Sequence, residues 1–107
     1  MRDLMGLMKQ AQAMQEKMVE AQARLGETEV TGEAGAGLVK VVLTAKGDMV
    51  SIDVDKSLLD PEEPEILEDL LKAAHADARR KGDAAQQEIM KEAAGGLQMP
   101  PGMQMPF

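Results

Sequence analysis

Aromatic side chains are almost absent from this chain, which has one Phe, at position 107, and no Trp or Tyr in 107 residues. Aromatic residues usually contribute the largest buried area per side chain, and a chain of this length buries only a modest part of its surface when it folds alone. Leu, Val, Ile and ten Met must therefore form the core. Because methionine fills irregular gaps and repacks easily, it suits an interface better than a unique core. We therefore expect the chain to associate with a second copy.

The N-terminal residues carry apolar positions at alternating spacings of three and four, which is a heptad pattern and predicts a long helix. The positions of this seam are Leu4, Leu7, Ala11, Met14, Met18, Ala21 and Leu25. Gly26 follows the last of them and is predicted to end the helix in a left-handed conformation. We expect the seam to pack against the other long helix of the chain, near or across a dimer interface.

From Glu27 the pattern changes to short alternating segments that are typical of strands. The segment ETEVTGE predicts a weak acidic strand, and GLVKVVLTAKGDMVSIDVD predicts a hairpin that turns at Lys46–Asp48. The apolar face of the hairpin is predicted to consist of Val39, Val41, Leu43, Val50, Ile52 and Val54. A strand, not a helix, follows the preceding glycines, so they do not fit a phosphate-binding loop. They are predicted to form a loop or bulge between strands: Gly32, Gly35 and Gly37.

A second long helix is predicted from about Pro61 or Glu62 to Ala93, with Asp60 as its N-cap and Pro61 in its first turn. Its early half carries one apolar stripe, which consists of Leu67, Leu70, Leu71, Ala74 and Ala78. After Arg79 the stripe thins, so we expect this half of the helix to project beyond the core and to touch only another helix.

These elements predict an α+β fold with a long N-terminal helix, a three-stranded antiparallel sheet and a long C-terminal helix. Residues 1–94 are predicted to form a single αβββα domain, and residues 95–107 a Gly/Met/Pro-rich tail. Glycine and proline exclude a regular helix from the tail. Two alternatives remain open for it: disorder, or docking onto a partner groove through Leu97, Met99 and Phe107.

Composition and spacing argue against several classes of function. The chain has no Cys, which excludes disulfides and thiolate metal sites and fits the cytoplasm, and it has no apolar run of the roughly 20 residues that span a membrane. His75 and Asp77 are two residues apart on a predicted helix and do not face one metal ion. No nucleophile and base are recognisable, so we expect no enzyme activity, no metal, no cofactor and no small-molecule substrate.

Three ordered blocks of the chain resemble the YbaB/EbfC family of bacterial nucleoid-associated proteins. They are LMKQAQAMQEKM, VTGEAGAGLVKVVLTAKGDMVSIDVD and LEDLLKAAHADARRK, and the ending GGLQMPPGMQMPF is similar to the tail of some members. The resemblance implies a homodimer joined through its sheets, with helices that project like the arms of tweezers. It also implies binding to DNA, a place in the cytoplasmic nucleoid, and no catalysis.

Binding to DNA requires cationic groups that neutralise phosphates and release counterions. The net charge of −7 means that such groups must form a local patch. The candidate residues on the two helices are Lys9, Lys17, Arg24, Lys72, Arg79, Arg80 and Lys81. Arg79–Lys81 is the only run of three, and its side chains point about 100 degrees apart, so it wraps the helix. An open alternative is that these three pair with acids such as Asp77 and Asp83. Lys40 and Lys46 on the sheet are weaker candidates.

The chain has no Trp or Tyr on which bases could stack, which disfavours single-stranded nucleic acid and favours double-stranded DNA held by its backbone. An alternative function is that of a protein-interaction adaptor with weak or no DNA binding. The methionine-rich helix and tail would then engage a partner protein, an interpretation that the acidic composition also supports.

Overall fold

The computed structural model describes residues 2–95. Helix α1 spans Arg2–Glu27, strands β1, β2 and β3 span Glu29–Ala34, Val39–Thr44 and Met49–Val54, and helix α2 spans Pro64–Gly95, after a short 3-10 turn at Lys56–Leu58. The predicted order of helix, three strands and helix is confirmed. The predictions for the tail from residue 96 onward lie outside the described residues.

The three strands form one antiparallel sheet in the order β1-β2-β3, and α2 packs across one face of it. Val39, Val41 and Leu43 of β2 are fully buried beneath Ala74 and Ala78 of α2. The leucines predicted for the early stripe of α2 pack at the edge of the same cluster: Leu67, Leu70 and Leu71. The core therefore consists of aliphatic side chains from the central strand and small side chains from the helix.

Gly32 brings the sheet and the helix together. It lies inside β1, buried, rather than in a loop as predicted from the sequence. A Cβ atom at this position would collide with the backbone oxygen of Ala74 and the backbone nitrogen of Ala78. The prediction is wrong because a glycine required by close backbone approach has the same sequence signature as a glycine required by a turn. Gly35 and Gly37 do lie in the β1–β2 turn, with positive φ.

Strand β3 is the exposed strand of the sheet. A register shift opposite Val42 and Leu43 leaves Val50 without a partner, so the predicted single apolar face of β3 is interrupted by a bulge. Ile52 pairs with Val41 and lies on the side of the sheet that α2 covers elsewhere, but it remains 48% exposed. Helix α2 crosses β1 and β2 and does not reach this strand.

Both helix boundaries near the sheet differ from the prediction. Asp60 accepts a hydrogen bond from the Glu62 amide in a turn, and α2 begins only at Pro64, because a proline disfavours helical geometry in the residue before it. At the end of α1, Gly26 does not take the left-handed conformation and the helix continues to Glu27. The amide and hydroxyl of Thr28 instead both bond to the carbonyl oxygen of Arg24.

Helix α1 packs against α2 through its second half only. Ala21 and Leu25 are buried with Ile89 and Met90, and Met18 packs at the edge of this cluster. The earlier seam residues, from Leu4 to Met14, are exposed, so only part of the predicted helix packing is present within one chain. The described residues extend over 74 × 24 × 16 Å, which makes α1 a projecting arm.

Substituting Gly32 with alanine tests the close approach of β1 and α2. We expect Gly32→Ala to reduce the free energy of unfolding by about 3 kcal/mol or more, because the methyl group overpacks against rigid helix backbone. Gly26→Ala is the matched control, since no atom lies within 4 Å of its added Cβ. Urea unfolding followed by circular dichroism measures both. Equal stability of the two variants would contradict the role given to Gly32.

Candidate nucleic-acid interface

The middle of α2 is the basic part of this acidic chain. Between Lys72 and Lys81 there are four basic residues and one acidic residue, whereas the segment from Glu62 to Asp69 contains five acidic residues and no basic one. The acidic segment covers the turn before α2 and its first helical turns, so the two segments are separated along the helix axis. The basic segment is therefore the local patch that an anionic ligand would require.

The run Arg79–Lys81 is divided among three directions. Lys81 turns toward β1, where its ammonium group donates a hydrogen bond to the carbonyl oxygen of Thr31 (2.8 Å) and pairs with Asp77 (3.1 Å). Arg80 points outward and pairs with Asp77 at 3.3 Å, while its side chain remains 71% exposed. The alternative in which Asp77 neutralises part of the run therefore holds for these two residues.

Asp77 joins α2 to the edge strand. Its side chain is 26% exposed, and its second carboxylate oxygen accepts a hydrogen bond from the amide of Glu33 at 3.0 Å. That bond lowers the pKa of Asp77, and the hydrogen bond and positive charge of Lys81 and the charge of Arg80 lower it further. The carboxylate thus holds Lys81 and β1 in place as well as balancing charge.

Arg79 lies on the opposite flank of α2. Its guanidinium approaches the β2–β3 turn, 3.6 Å from where a Cβ on Gly47 would lie, and it borders a shallow cleft with Lys46, Asp83 and Gln86. Within residues 2–95 no ion pair is formed by Arg79. Asp83, the second acid considered from the sequence, therefore forms no ion pair with Arg79.

Lys72 precedes Arg79 by seven residues, which is two helical turns, so both side chains project from the same side of α2 about 10 Å apart along the axis. His75 lies between them, and all three are exposed. In the part of the chain that the structure describes, Lys72 also forms no ion pair. The structure therefore places Lys72 and Arg79 on one side of α2, with Lys46 beside Arg79, and none of the three forms an ion pair among residues 2–95.

The candidates on α1 have different surroundings. Arg24 is bound to Glu92 of α2 at 2.7 Å, with both side chains about half exposed. Lys17 is partly buried in the cleft between the helices, beside Glu20 and Glu92. Lys9 is exposed on the part of α1 that projects beyond α2. These three residues do not join the cluster around Arg79.

Sequence reasoning could not find two features of this surface. The Glu33 amide and the Thr31 carbonyl belong to the backbone, so no residue type indicates that they hold Asp77 and Lys81. Lys46 is only a weak candidate from the sequence, because a strand turn gives no sign of meeting α2. The one available signal is the spacing of Asp77 from the two following basic residues, three and four positions, which favours side-chain contact on a helix.

Neither a metal site nor a membrane span is found among the described residues. Between residues 2 and 95, no group of three His, Asp or Glu side chains is arranged to hold a metal ion. Over the same range, neither α1 nor α2 combines the length and the apolar composition that crossing a membrane would demand.

Comparison with protein families gives one match to nearly the whole chain. The model described as the YbaB/EbfC DNA-binding family matches residues 1–97. A nucleoid-associated protein of Maricaulis maris (strain MCS10) is 88% identical over 107 residues, with both chains covered completely. A nucleoid-associated protein of Bradyrhizobium sp. (strain ORS 278) is 59% identical over 102 residues, which cover 95% of this chain and 96% of that protein.

A solved structure supports the fold. The crystal structure of an uncharacterized protein from Helicobacter pylori matches with a TM-score of 0.68 and 24% identity, over 83% of this chain and 90% of that one. At this identity the similarity concerns the fold alone. The names of the relatives describe nucleoid association and the family is described by DNA binding, so these findings do not favour the adaptor hypothesis.

The contacts of the Asp77 carboxylate with the Glu33 amide, Lys81 and Arg80 predict a pH-dependent contribution to stability. Because folding lowers the pKa of this carboxyl group, its contribution is complete above the unfolded value of about 4 and is lost as the pH falls through the folded value. We therefore expect Asp77→Asn to have a lower Tm than the unaltered chain between pH 5 and 7, and the difference to shrink below about pH 4.

Asp83→Asn is the control for this measurement, because it makes the same change on the same helix at a residue without an ion pair within residues 2–95. Thermal unfolding by circular dichroism across pH 3 to 7 records both variants. If the Tm difference between Asp77→Asn and the unaltered chain does not vary with pH, the charge of Asp77 does not stabilise the fold as proposed.

Proposed function

Because this chain belongs to the YbaB/EbfC DNA-binding family, we propose that it binds double-stranded DNA as a homodimer, through basic side chains on its helices. The match of the family model over residues 1–97 is the observation that carries this proposal. Relatives that align over nearly all of the chain are named nucleoid-associated proteins, and we extend that role to this chain, in the cytoplasmic nucleoid. No catalytic step is part of the proposal, since the family is described by binding.

Double-stranded DNA is the form of nucleic acid that the described surface suits. The residues on its helices offer lysine, arginine and histidine side chains but no aromatic ring of Phe, Tyr or Trp on which an unpaired base could stack. Contacts to phosphates fix a protein on the duplex without reading its sequence. We therefore propose backbone binding, with sequence discrimination left to the shape and stiffness of the duplex.

The cations differ in how much each would contribute. Binding releases counterions from the DNA only in proportion to the protein charges that are free to replace them. Arg24, Arg80 and Lys81 are already bound to acids of the same chain, so a phosphate would have to displace a carboxylate. Lys72 and Arg79 are not bound to an acid among residues 2–95, so we assign them the largest contributions to DNA affinity. Smaller contributions are assigned to Lys46 beside Arg79 and to Lys9 and Lys17 on α1.

The proposed homodimer accounts for the apolar surface that one chain leaves exposed on β3. Met49, Val50 and Ile52 are each about half exposed, and Leu59 and Ile66 nearby along the chain are exposed as well. An edge strand with apolar side chains is a template for pairing with another strand. A second copy that covers β3 would bury these residues and leave each α1 projecting, so that the dimer has two arms, each of which carries Lys9 and Lys17.

Removing the two free cations of α2 tests the binding mechanism. We expect the double variant Lys72→Gln with Arg79→Gln to bind duplex DNA at least about tenfold more weakly at about 100 mM salt. The slope of log affinity against log salt should become shallower by about 0.9 for each phosphate that the variant no longer neutralises. Fluorescence anisotropy with a labelled duplex, between about 50 and 200 mM salt, measures both quantities.

The control for this experiment is Lys40→Gln with Lys56→Gln, which removes the same charge from exposed positions on the sheet and the 3-10 turn. We expect this variant to keep most of its affinity. Equal reductions in the two double variants would show that net charge alone governs binding, and binding that ignores salt would refute the phosphate mechanism.

A charge on the exposed face of β3 tests the dimer. We expect Ile52→Glu to shift the mass in sedimentation equilibrium from two chains to one at micromolar concentration, because a carboxylate would be buried without a partner. The circular dichroism spectrum should not change, since Ile52 is 48% exposed in the single chain. Ser51→Glu, on the polar face of the same strand, is the control. A dimer that survives Ile52→Glu unchanged would contradict the proposed interface.

A further inference from the structure

The projecting half of α1 presents an apolar stripe that no other described element covers. Leu4 and Leu7 are 61% and 59% exposed and Met14 is 46% exposed, and Ala11 between them is exposed too. These are consecutive positions of the heptad seam whose later members, Ala21 and Leu25, are buried against α2. The stripe is therefore the continuation of an existing packing surface, and we call it the free seam: Leu4, Leu7, Ala11 and Met14.

The free seam exists because α2 ends before α1 does. The two helices lie side by side and are antiparallel: α1 runs toward the sheet and α2 runs away from it. Near the end of α1, Ala21, Arg24 and Leu25 contact Ile89–Ala93 in the second half of α2. Ala21 lies beside Ala93; from there α2 continues to Gly95 for about 3 Å, whereas α1 continues back to Leu4 for about 26 Å. Helix α1 thus extends about 23 Å past the end of α2.

The chain itself continues from this point. Twelve residues follow Gly95, with the sequence GLQMPPGMQMPF, and the last turn of α2 lies beside Met18, so the chain leaves the helix at the inner end of the free seam. In an extended polyproline geometry twelve residues reach about 37 Å, which is more than twice the length of the free seam. We propose that residues 97–107 dock along the free seam of the same chain and take the place that a longer α2 would occupy.

The composition of the segment suits this surface. It contains Leu97, three methionines and Phe107, and it has no charged side chain that would lose its hydration on docking. Methionine adapts to irregular apolar surfaces, and proline restricts the free backbone and so reduces the entropy lost on docking. Phe107, the one aromatic residue of the chain, would contribute the largest single apolar side chain of the segment.

Attachment to the end of α2 favours this occupant over a free partner. A segment tethered by a short linker is present at an effective concentration in the millimolar range, so even weak apolar contacts hold it. A second copy of α1 could pair through the same heptad seam, but it would have to be recruited from solution, whereas residues 97–107 are already tethered beside the seam.

The first arm of the test uses amide hydrogen exchange of the full-length chain. In the variant Met99→Ser, Met103→Ser, Met105→Ser and Phe107→Ser, we expect amides of residues 4–14 to exchange at least about tenfold faster than in the unaltered chain, because local opening of α1 is no longer opposed by the docked segment. Amides of β2 should be unaffected. The control variant Gln98→Ser with Gln104→Ser should match the unaltered chain. Equal exchange of residues 4–14 in all three proteins would overturn the proposal.

The second arm locates the segment with a spin label. Because the chain has no Cys, Gln104→Cys provides a single attachment site. We expect the label to broaden the methyl signals of Leu4 and Leu7 and to leave those of Val39 and Val41 sharp. A mixture of isotope-labelled chains without the spin label and unlabelled chains carrying it should show no broadening. Broadening in that mixture would assign the segment to a second copy and overturn docking within one chain. Neither arm contains DNA, so the outcome does not depend on the proposed function.

Discussion

The fold depends on the contact between the backbones of β1 and α2 at Gly32. Neither element carries a large side chain where they cross: the helix presents Ala74 and Ala78 and the strand presents a glycine whose missing Cβ leaves room for helix backbone. This close approach accompanies the full burial of β2, the next strand. Residues 2–95, which contain no aromatic side chain, thus form a dense core by shortening the distance between layers, because small side chains bring more backbone atoms into van der Waals contact.

The same contact decides which cations of α2 remain free. With the helix fixed over β1, one flank of α2 faces backbone groups of that strand, and Asp77 and Lys81 bond to them. The other flank faces the β2–β3 turn, where Arg79 meets only the end of a turn and a shallow cleft. Three consecutive basic residues therefore differ in role through the direction of their side chains. The orientation of residues 79–81 relative to the sheet therefore determines which of these cations form an ion pair.

Much of this architecture could be predicted from the sequence. The heptad spacing located α1, the alternation of valines located β2, and the leucine stripe located the buried half of α2, because each pattern reflects a face that one element buries. The bulge at Val50, the buried position of Gly32 and the start of α2 at Pro64 could not be predicted. Each of these depends on a neighbour distant in the chain or on competition between adjacent turn and helix signals. Of the candidate site, the residue types and the pairing of Asp77 with Arg80 and Lys81 were predictable, but the bonds of Asp77 and Lys81 to the backbone of β1 were not.

The incomplete packing of the two long helices and of β3 has a common origin. Helix α2 places its leucines on the sheet and meets α1 only through alanines and the pair Ile89 and Met90. Covering one sheet face completely would have required a third helix or wider side chains, and extending the helix pair would have required about fifteen more residues in α2. The single chain therefore leaves two separate apolar surfaces, one beside β3 and one along the N-terminal half of α1. Since a monomer of this size is only marginally stable, both surfaces favour an occupant, and their separation means that the two can be filled independently.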